Sequence, residues 1–256
     1  MSDMLNFISN GEDTGTPLLI VHGLFGTARN WGVLAKRFAG QRRVIAVDMR
    51  NHGASFWAET NSYADMAGDL ATLIESLGGQ ADVLGHSMGG KAAMILALTR
   101  PELVEKLVVS DIAPVAYSHS QLDKIEAMRA VDLSVVHRRS DADLQLKERV
   151  EDPSLRSFLL QSLTLGEGGA RWKLNLLALG SAMEEIIGFP DVCDSFDGEV
   201  LLLSGGNSDY VQAAHHPRIL ELFPNAKFEI IDEAGHWLHA EKPREFEAAA
   251  SRFLNT

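Results

Sequence analysis

Gly85-His86-Ser87-Met88-Gly89 lies between an apolar run, Ala81 to Leu84, and a small-residue helical segment, Gly90 to Arg100. The pattern G-x-S-x-G in a strand–turn–helix context is a nucleophile elbow. A turn this sharp holds its serine at backbone angles most side chains resist, so small residues are required two positions to either side. It presents a serine hydroxyl at the carboxyl end of a strand, where a histidine can reach it. A chance glycine-serine turn would explain the five residues but not the strand and helix that flank them.

Working outward, short apolar runs alternate with helical patterns, which predicts an α/β protein with a mostly parallel central sheet flanked by helices. Leu18 to His22, Arg43 to Asp48, Ala81 to Leu84, Leu103 to Ser110, Glu199 to Leu203 and Ala226 to Ile231 read as strands. Asn30 to Phe38, Ser62 to Leu77, Gln212 to Phe223 and Lys242 to Leu254 read as helices, with Ser62 as an N-cap. Between Ile112 and Pro190 the pattern changes to helical stretches at Gln121–Val131, Asp141–Glu151, Ser154–Leu163 and Arg171–Ile187, without a convincing strand. About eighty residues exceed an ordinary crossover and predict an inserted helical cap. The expected organisation is a core of residues 1–111 and 191–256 with a cap at 112–190.

A serine nucleophile needs a base, a group that orients the base, and donors for the developing oxyanion. His236, in Ala234-Gly235-His236-Trp237 after the last strand, completes the required chain order. His119, His137, His215 and His216 fit surface or structural roles. In His22-Gly23-Leu24-Phe25-Gly26 the glycines let the Leu24 amide face the serine; the Met88 amide, at a helix start, is the expected second donor. Two carboxylates compete for the orienting role. Asp209 follows Ser208 after the penultimate strand, one residue later than the usual position. Asp111 ends Leu107-Val108-Val109-Ser110 among apolar neighbours, where an unpaired carboxylate would be costly. Asp111 is favoured, with Asp209 the alternative. Phe25, Trp57 and Trp237, together with Met88, could line an acyl pocket. Asp48 and Arg50 read as loop braces, His52 as a loop histidine, His86 as packing beneath the elbow, and Lys91 as a salt-bridging residue.

Composition bounds the partners. The 256 residues are 46% hydrophobic and 23% charged, with a net charge of -12 from 23 basic and 35 acidic residues. That balance argues against nucleic acid and anionic membrane surfaces, since phosphate binding needs concentrated Lys and Arg. The lone Cys193 allows no intrachain disulfide and reads as a packing residue. Neither a signal-peptide pattern nor a run of about 20 apolar residues is visible, so a cytoplasmic protein is expected. A monomer or small homo-oligomer is anticipated.

The chain resembles the α/β-hydrolases and, more narrowly, small bacterial esterases of the YbfF type. The resemblance covers nearly the whole chain. It is carried by His22-Gly23-Leu24-Phe25-Gly26, Asp48-Met49-Arg50-Asn51-His52-Gly53, the elbow with Gly90-Lys91, Asp111-Ile112-Ala113-Pro114-Val115, Gly205-Gly206-Asn207-Ser208 and Gly235-His236-Trp237-Leu238-His239-Ala240-Glu241-Lys242-Pro243. It implies an α/β-hydrolase fold and acyl-ester hydrolysis, extending to acyl thioesters, with no metal or organic cofactor. It also implies Asp111 as the acid and Ser208 as an auxiliary hydrogen-bonding residue near the histidine. The same triad would serve an aminopeptidase or a carbon–carbon bond hydrolase. The rival from another class is a non-catalytic ligand-binding protein on this fold.

Overall fold

The structure, a computed structural model, describes residues 4–40 and 42–255. Its frame is a seven-stranded sheet. The strands are β1 (Phe7–Asn10), β2 (Leu18–Val21), β3 (Val44–Val47), β4 (Ala81–His86), β5 (Val104–Ser110), then, after the insertion, β8 (Glu199–Gly205) and β9 (Ala226–Ile231). Their order is β1-β3-β2-β4-β5-β8-β9. All pairs are parallel except the edge pair, where Phe7 faces Val47 and Asn10 faces Val44 in antiparallel register. The sequence reading did not single out β1. Its four residues are only partly buried or exposed and carry no apolar alternation.

Period-two geometry sorts each inner strand between two cores. Leu18, Ile20, Val44, Ala46, Leu84 and Val108 face one layer, formed by Trp31 in the turn before α1 (Gly32–Phe38), by Leu34 of α1 and by Phe246 and Phe253 of α11 (Pro243–Leu254). Leu19, Val21, Ile45, Val47, Val83 and Leu107 face the other, formed by α2 (Tyr63–Ser76), α3 (Met88–Thr99) and the insertion. Each such aliphatic side chain stabilises by about 1.5–3 kcal/mol on full burial. Helix α2 begins where the sequence predicts: the Ser62 hydroxyl accepts the Asp65 N–H at 3.1 Å. Where one helix was expected from Gln212 to Phe223, a short 3-10 turn at Ala213–His215 precedes α9 (His216–Leu222). Pro217 has no N–H to donate and is tolerated only in a first turn.

The insertion contains α4 (Leu122–Arg129), α5 (Arg139–Leu146), α6 (Pro153–Leu159), α7 (Leu176–Ser181) and α8 (Met183–Ile187). It also contains a hairpin that corrects the all-helical expectation: β6 (Leu163–Gly166) pairs with β7 (Gly169–Trp172). Gly166-Glu167-Gly168-Gly169 cannot sustain a helix, and Gly169 has φ +86° at the turn. The hairpin is anchored by Trp172, whose indole N–H donates to the Met128 carbonyl at 2.9 Å. Cys193, expected to pack, is exposed in the segment entering β8. A last short helix, α10 (Leu238–Glu241), follows the loop after β9. Among the described residues no helix is long and apolar enough to cross a membrane.

Candidate active site

Because β4, β5, β8 and β9 are parallel neighbours, their carboxyl ends fall on one edge, and the candidate residues project from the loops there. Ser87 sits between β4 and α3 with φ +53° and ψ -121°. A non-glycine residue held there costs of order 1–3 kcal/mol. The close approach that maintains it is visible at Gly85 and Gly89. A Cβ at Gly85 would collide with the Gly89 carbonyl, and one at Gly89 with the carbonyls of Val21 and His22.

His236, in the loop between β9 and α10, is bonded at both ring nitrogens. Nδ1 lies 2.7 Å from Asp111 Oδ2, and Nε2 lies 3.1 Å from Ser87 Oγ. Against a carboxylate, Nδ1 carries the hydrogen and donates it, which leaves the Nε2 lone pair to accept the serine hydroxyl. Asp111 is fully buried at the end of β5, with φ +51°. Its Oδ1 accepts the Gly205 N–H at 3.0 Å, and its Oδ2 accepts the Ser208 hydroxyl at 2.5 Å. Ser208 therefore touches the acid rather than the imidazole. Asp209 is exposed, and among the described residues its carboxylate has no hydrogen-bond or ion-pair partner.

Two backbone amides complete the arrangement. Neither the Leu24 nor the Met88 N–H has an acceptor among the described residues, and Met88 opens the twelve-residue α3, where the helix dipole favours negative charge. The neighbouring Phe25 N–H is already engaged, donating to His52 Nε2 at 3.2 Å. His52 in turn donates from Nδ1 to the Arg50 carbonyl at 2.8 Å. Read from sequence as a loop histidine, it is completely buried and shapes the Leu24–Phe25 loop. Burial, with His22 beside it, pushes its pKa down to about 3, so it is a neutral acceptor. His22 works alike, donating from Nδ1 to the Gly23 carbonyl and accepting the Met49 N–H. Asp48 gathers the N–H groups of Ala28 and Ala54, and Arg50 forks onto Asp69, so both brace these loops.

A cavity of about 340 Å³ opens over Ser87. Leu24, Phe25, Met88, Leu155, Phe158 and Trp237 supply much of its apolar lining, and His119, Gln121 and Lys124 belong to its wall as well. Trp57 does not reach it. Its side chain is 58% exposed in the loop after β3, held outward by the hydrogen bonds of Asn51 to the Ala58 N–H and the Thr60 carbonyl. His86 packs under the elbow and donates from Nε2 to the His236 carbonyl at 2.9 Å. Burial holds it neutral, well below the usual histidine range. Tyr210, which sequence reading missed, stacks its ring on His236. Among the described residues no group of three or more His, Cys, Asp or Glu is arranged to hold a metal ion.

Among the described residues Lys91 makes no salt bridge, contrary to expectation. It is 1% exposed, and its ammonium donates to the carbonyls of Val115 (2.8 Å), Ile187 (3.0 Å) and Gly188 (2.5 Å), tying α3 to both ends of the insertion. Burial pushes its pKa from 10.5 down to about 7. The folded protein thus releases a proton over a range in which the unfolded chain still holds it. The cost of burying the charge is full below about pH 7 and is relieved as pH rises towards 10.5. Lys91→Met lacks this dependence. Unfolding free energies from urea titrations at pH 7, 8 and 9 should move in favour of the wild type by on the order of 1 kcal/mol per pH unit. A pH-independent difference would mean that the lysine keeps its proton.

The alpha/beta hydrolase fold family matches residues 16–243. The chain is 43% identical over 254 residues to the sn-1-specific diacylglycerol lipase ABHD11 of Mus musculus, covering 96% of this chain and 83% of that protein. It is 36% identical over 249 residues to Esterase YbfF of Escherichia coli, covering 96% of each. The solved structure of a marine microorganism esterase superposes with a TM-score of 0.94 at 37% identity, over 98% of this chain and 100% of that one. The chain belongs to the α/β-hydrolase superfamily and, within it, to the esterases of the YbfF type.

Proposed function

We propose that this esterase cleaves small-molecule carboxylic esters through an acyl-enzyme formed on Ser87. His236 Nε2 takes the Ser87 proton as Oγ attacks the acyl carbon. The carbonyl oxygen becomes an oxyanion held by the Leu24 and Met88 N–H groups, each donor being worth roughly 10²–10³ in turnover. The tetrahedral intermediate collapses as His236 returns the proton to the departing alcohol. A water molecule, deprotonated by the same nitrogen, then attacks the acyl-serine and releases the acid. Asp111 stays ionised throughout; it fixes the tautomer and stabilises the imidazolium. The observation that carries this reading is the double engagement of one imidazole, at 2.7 Å to Asp111 and 3.1 Å to Ser87.

The apolar lining favours an acyl chain over a charged group. The similarity to an sn-1-specific diacylglycerol lipase makes a glycerolipid ester a substrate worth including. The test is a panel of p-nitrophenyl esters, a diacylglycerol, acyl-CoA thioesters and amino-acid anilides, run beside Ser87→Ala. Esters should turn over best and thioesters detectably. Preferential anilide cleavage would redirect the reading to an aminopeptidase, and no turnover above the mutant to a binding protein.

A further inference from the structure

One face of the His236 imidazole is covered by a residue outside the triad. The Tyr210 ring lies 3.9 Å away, centroid to centroid, at an interplanar angle of 18°. Every polar group of Tyr210 is engaged. Its N–H donates to Ser208 Oγ at 3.3 Å, and that hydroxyl donates to Asp111. Its carbonyl accepts the Tyr117 hydroxyl at 2.7 Å, while Tyr117 accepts the Ala113 N–H at 2.8 Å. Its own hydroxyl is hydrogen-bonded to His119 Nε2 at 2.8 Å, with the two rings edge to face. Tyr210 is thus pinned from the acid's side by Ser208 and from the insertion by Tyr117 and His119.

We propose that Tyr210 is a positioning residue of the proposed triad. Its ring face holds the His236 imidazole in the plane that serves Asp111 and Ser87 together, and its π-cloud stabilises the imidazolium formed in each half-reaction. The inference rests on the acyl-enzyme reading above. The physical reason is that once Ser87 Oγ is acylated it has no proton to give, so the Asp111 bond alone holds the imidazole against its side-chain torsions, whereas proton transfer needs its nitrogens held within about 10–20°. A ring stacked flat on it removes that freedom. When the imidazole becomes a cation, an aromatic face contributes an amount equivalent to ~3- to 30-fold in rate.

The other titratable groups around the imidazole do not supply this. Asp111 meets its edge from the end of β5. His86 from β4 is tilted at 41°, and burial holds it neutral, well below the usual range. His239 from α10 is likewise pushed down, to about 3, by burial. His119 hydrogen-bonds the Tyr210 hydroxyl, and burial, with His236 nearby, lowers it too.

The experiment compares Tyr210→Leu, Tyr210→Met, Tyr210→Phe and Ser87→Ala on p-nitrophenyl acetate, recording kcat, KM and the pH profile of kcat/KM. Both aliphatic variants should lose ~3- to 30-fold in kcat with KM little changed. Their acid limb should move to lower pH, because the cation has lost its aromatic face. Tyr210→Phe should keep the limb at its wild-type position, since it keeps the ring, and should lose no more kcat than His119→Ala, since it breaks the same hydrogen bond. If Ser87→Ala is inactive while the aliphatic variants match the wild type in kcat and pH profile, the Tyr210 proposal is overturned and the triad stands. If Ser87→Ala remains active, the triad reading fails first. Should neither aliphatic variant fold, His119→Ala decides. A ~2- to 10-fold loss of kcat is expected when the ring is released from the insertion, and wild-type kcat would overturn the proposal.

Discussion

Ser87→Ala should lose ester turnover by roughly 10⁶-fold, the scale seen when the nucleophile of a serine hydrolase is removed. The reason is chemical. Without Oγ, His236 has no proton to take and no acyl-enzyme can form, so only direct attack by water on a bound ester remains. The fold should be unaffected, because alanine retains the Cβ that already occupies the left-handed backbone position at φ +53°. Thermal melting within a few degrees of wild type, with ester hydrolysis reduced to background and no labelling by a fluorophosphonate probe, is the expected set of results. Undiminished hydrolysis would remove Ser87 from the mechanism.

Asp111→Asn should be the second-largest loss, about 10⁴-fold in kcat. The amide is isosteric and can still accept the Gly205 N–H, so the loop geometry survives. What changes is the proton on His236. An asparagine that turns its NH₂ towards the ring makes Nδ1 an acceptor, moves the hydrogen to Nε2 and points a donor at the serine hydroxyl that must lose its proton. Removing the charge also withdraws the partner of the imidazolium. Asp209→Asn, on a carboxylate exposed at the surface and away from the imidazole, should leave kcat within 2-fold, the range of a neutral surface change. The opposite ranking would transfer the orienting role to Asp209.

The insertion gives these residues their surroundings. Lys91 joins α3, the helix that begins beside Ser87, to Val115 at one end of the insertion and to Ile187 and Gly188 at the other. Tyr117 and His119, on the first stretch of the insertion, reach Tyr210. The same segment that walls the cavity is therefore tied both to the nucleophile's helix and to the ring stacked on the imidazole.

What the sequence determined by itself is local. Apolar runs and their breaks set six of the seven strands and most helices, because a strand buried on both faces must be apolar throughout and the glycines about Ser87 admit one sharp turn. The missed features lack such a signal. The edge strand Phe7–Asn10 is neither buried nor alternating. The hairpin over residues 163–172 is held by Trp172 reaching Met128, a contact between separate elements. Lys91, His52 and Tyr210 each depended on neighbours remote in the chain, and Trp57 on the direction its loop takes. Whether a lysine finds carboxylates or carbonyls, whether a tryptophan meets a cavity or water, and which of two aspartates meets a histidine are settled by strand order and loop direction. Strand order β4-β5-β8-β9 brings Asp111 beside Ser208 and His236, and it leaves Asp209 facing solvent.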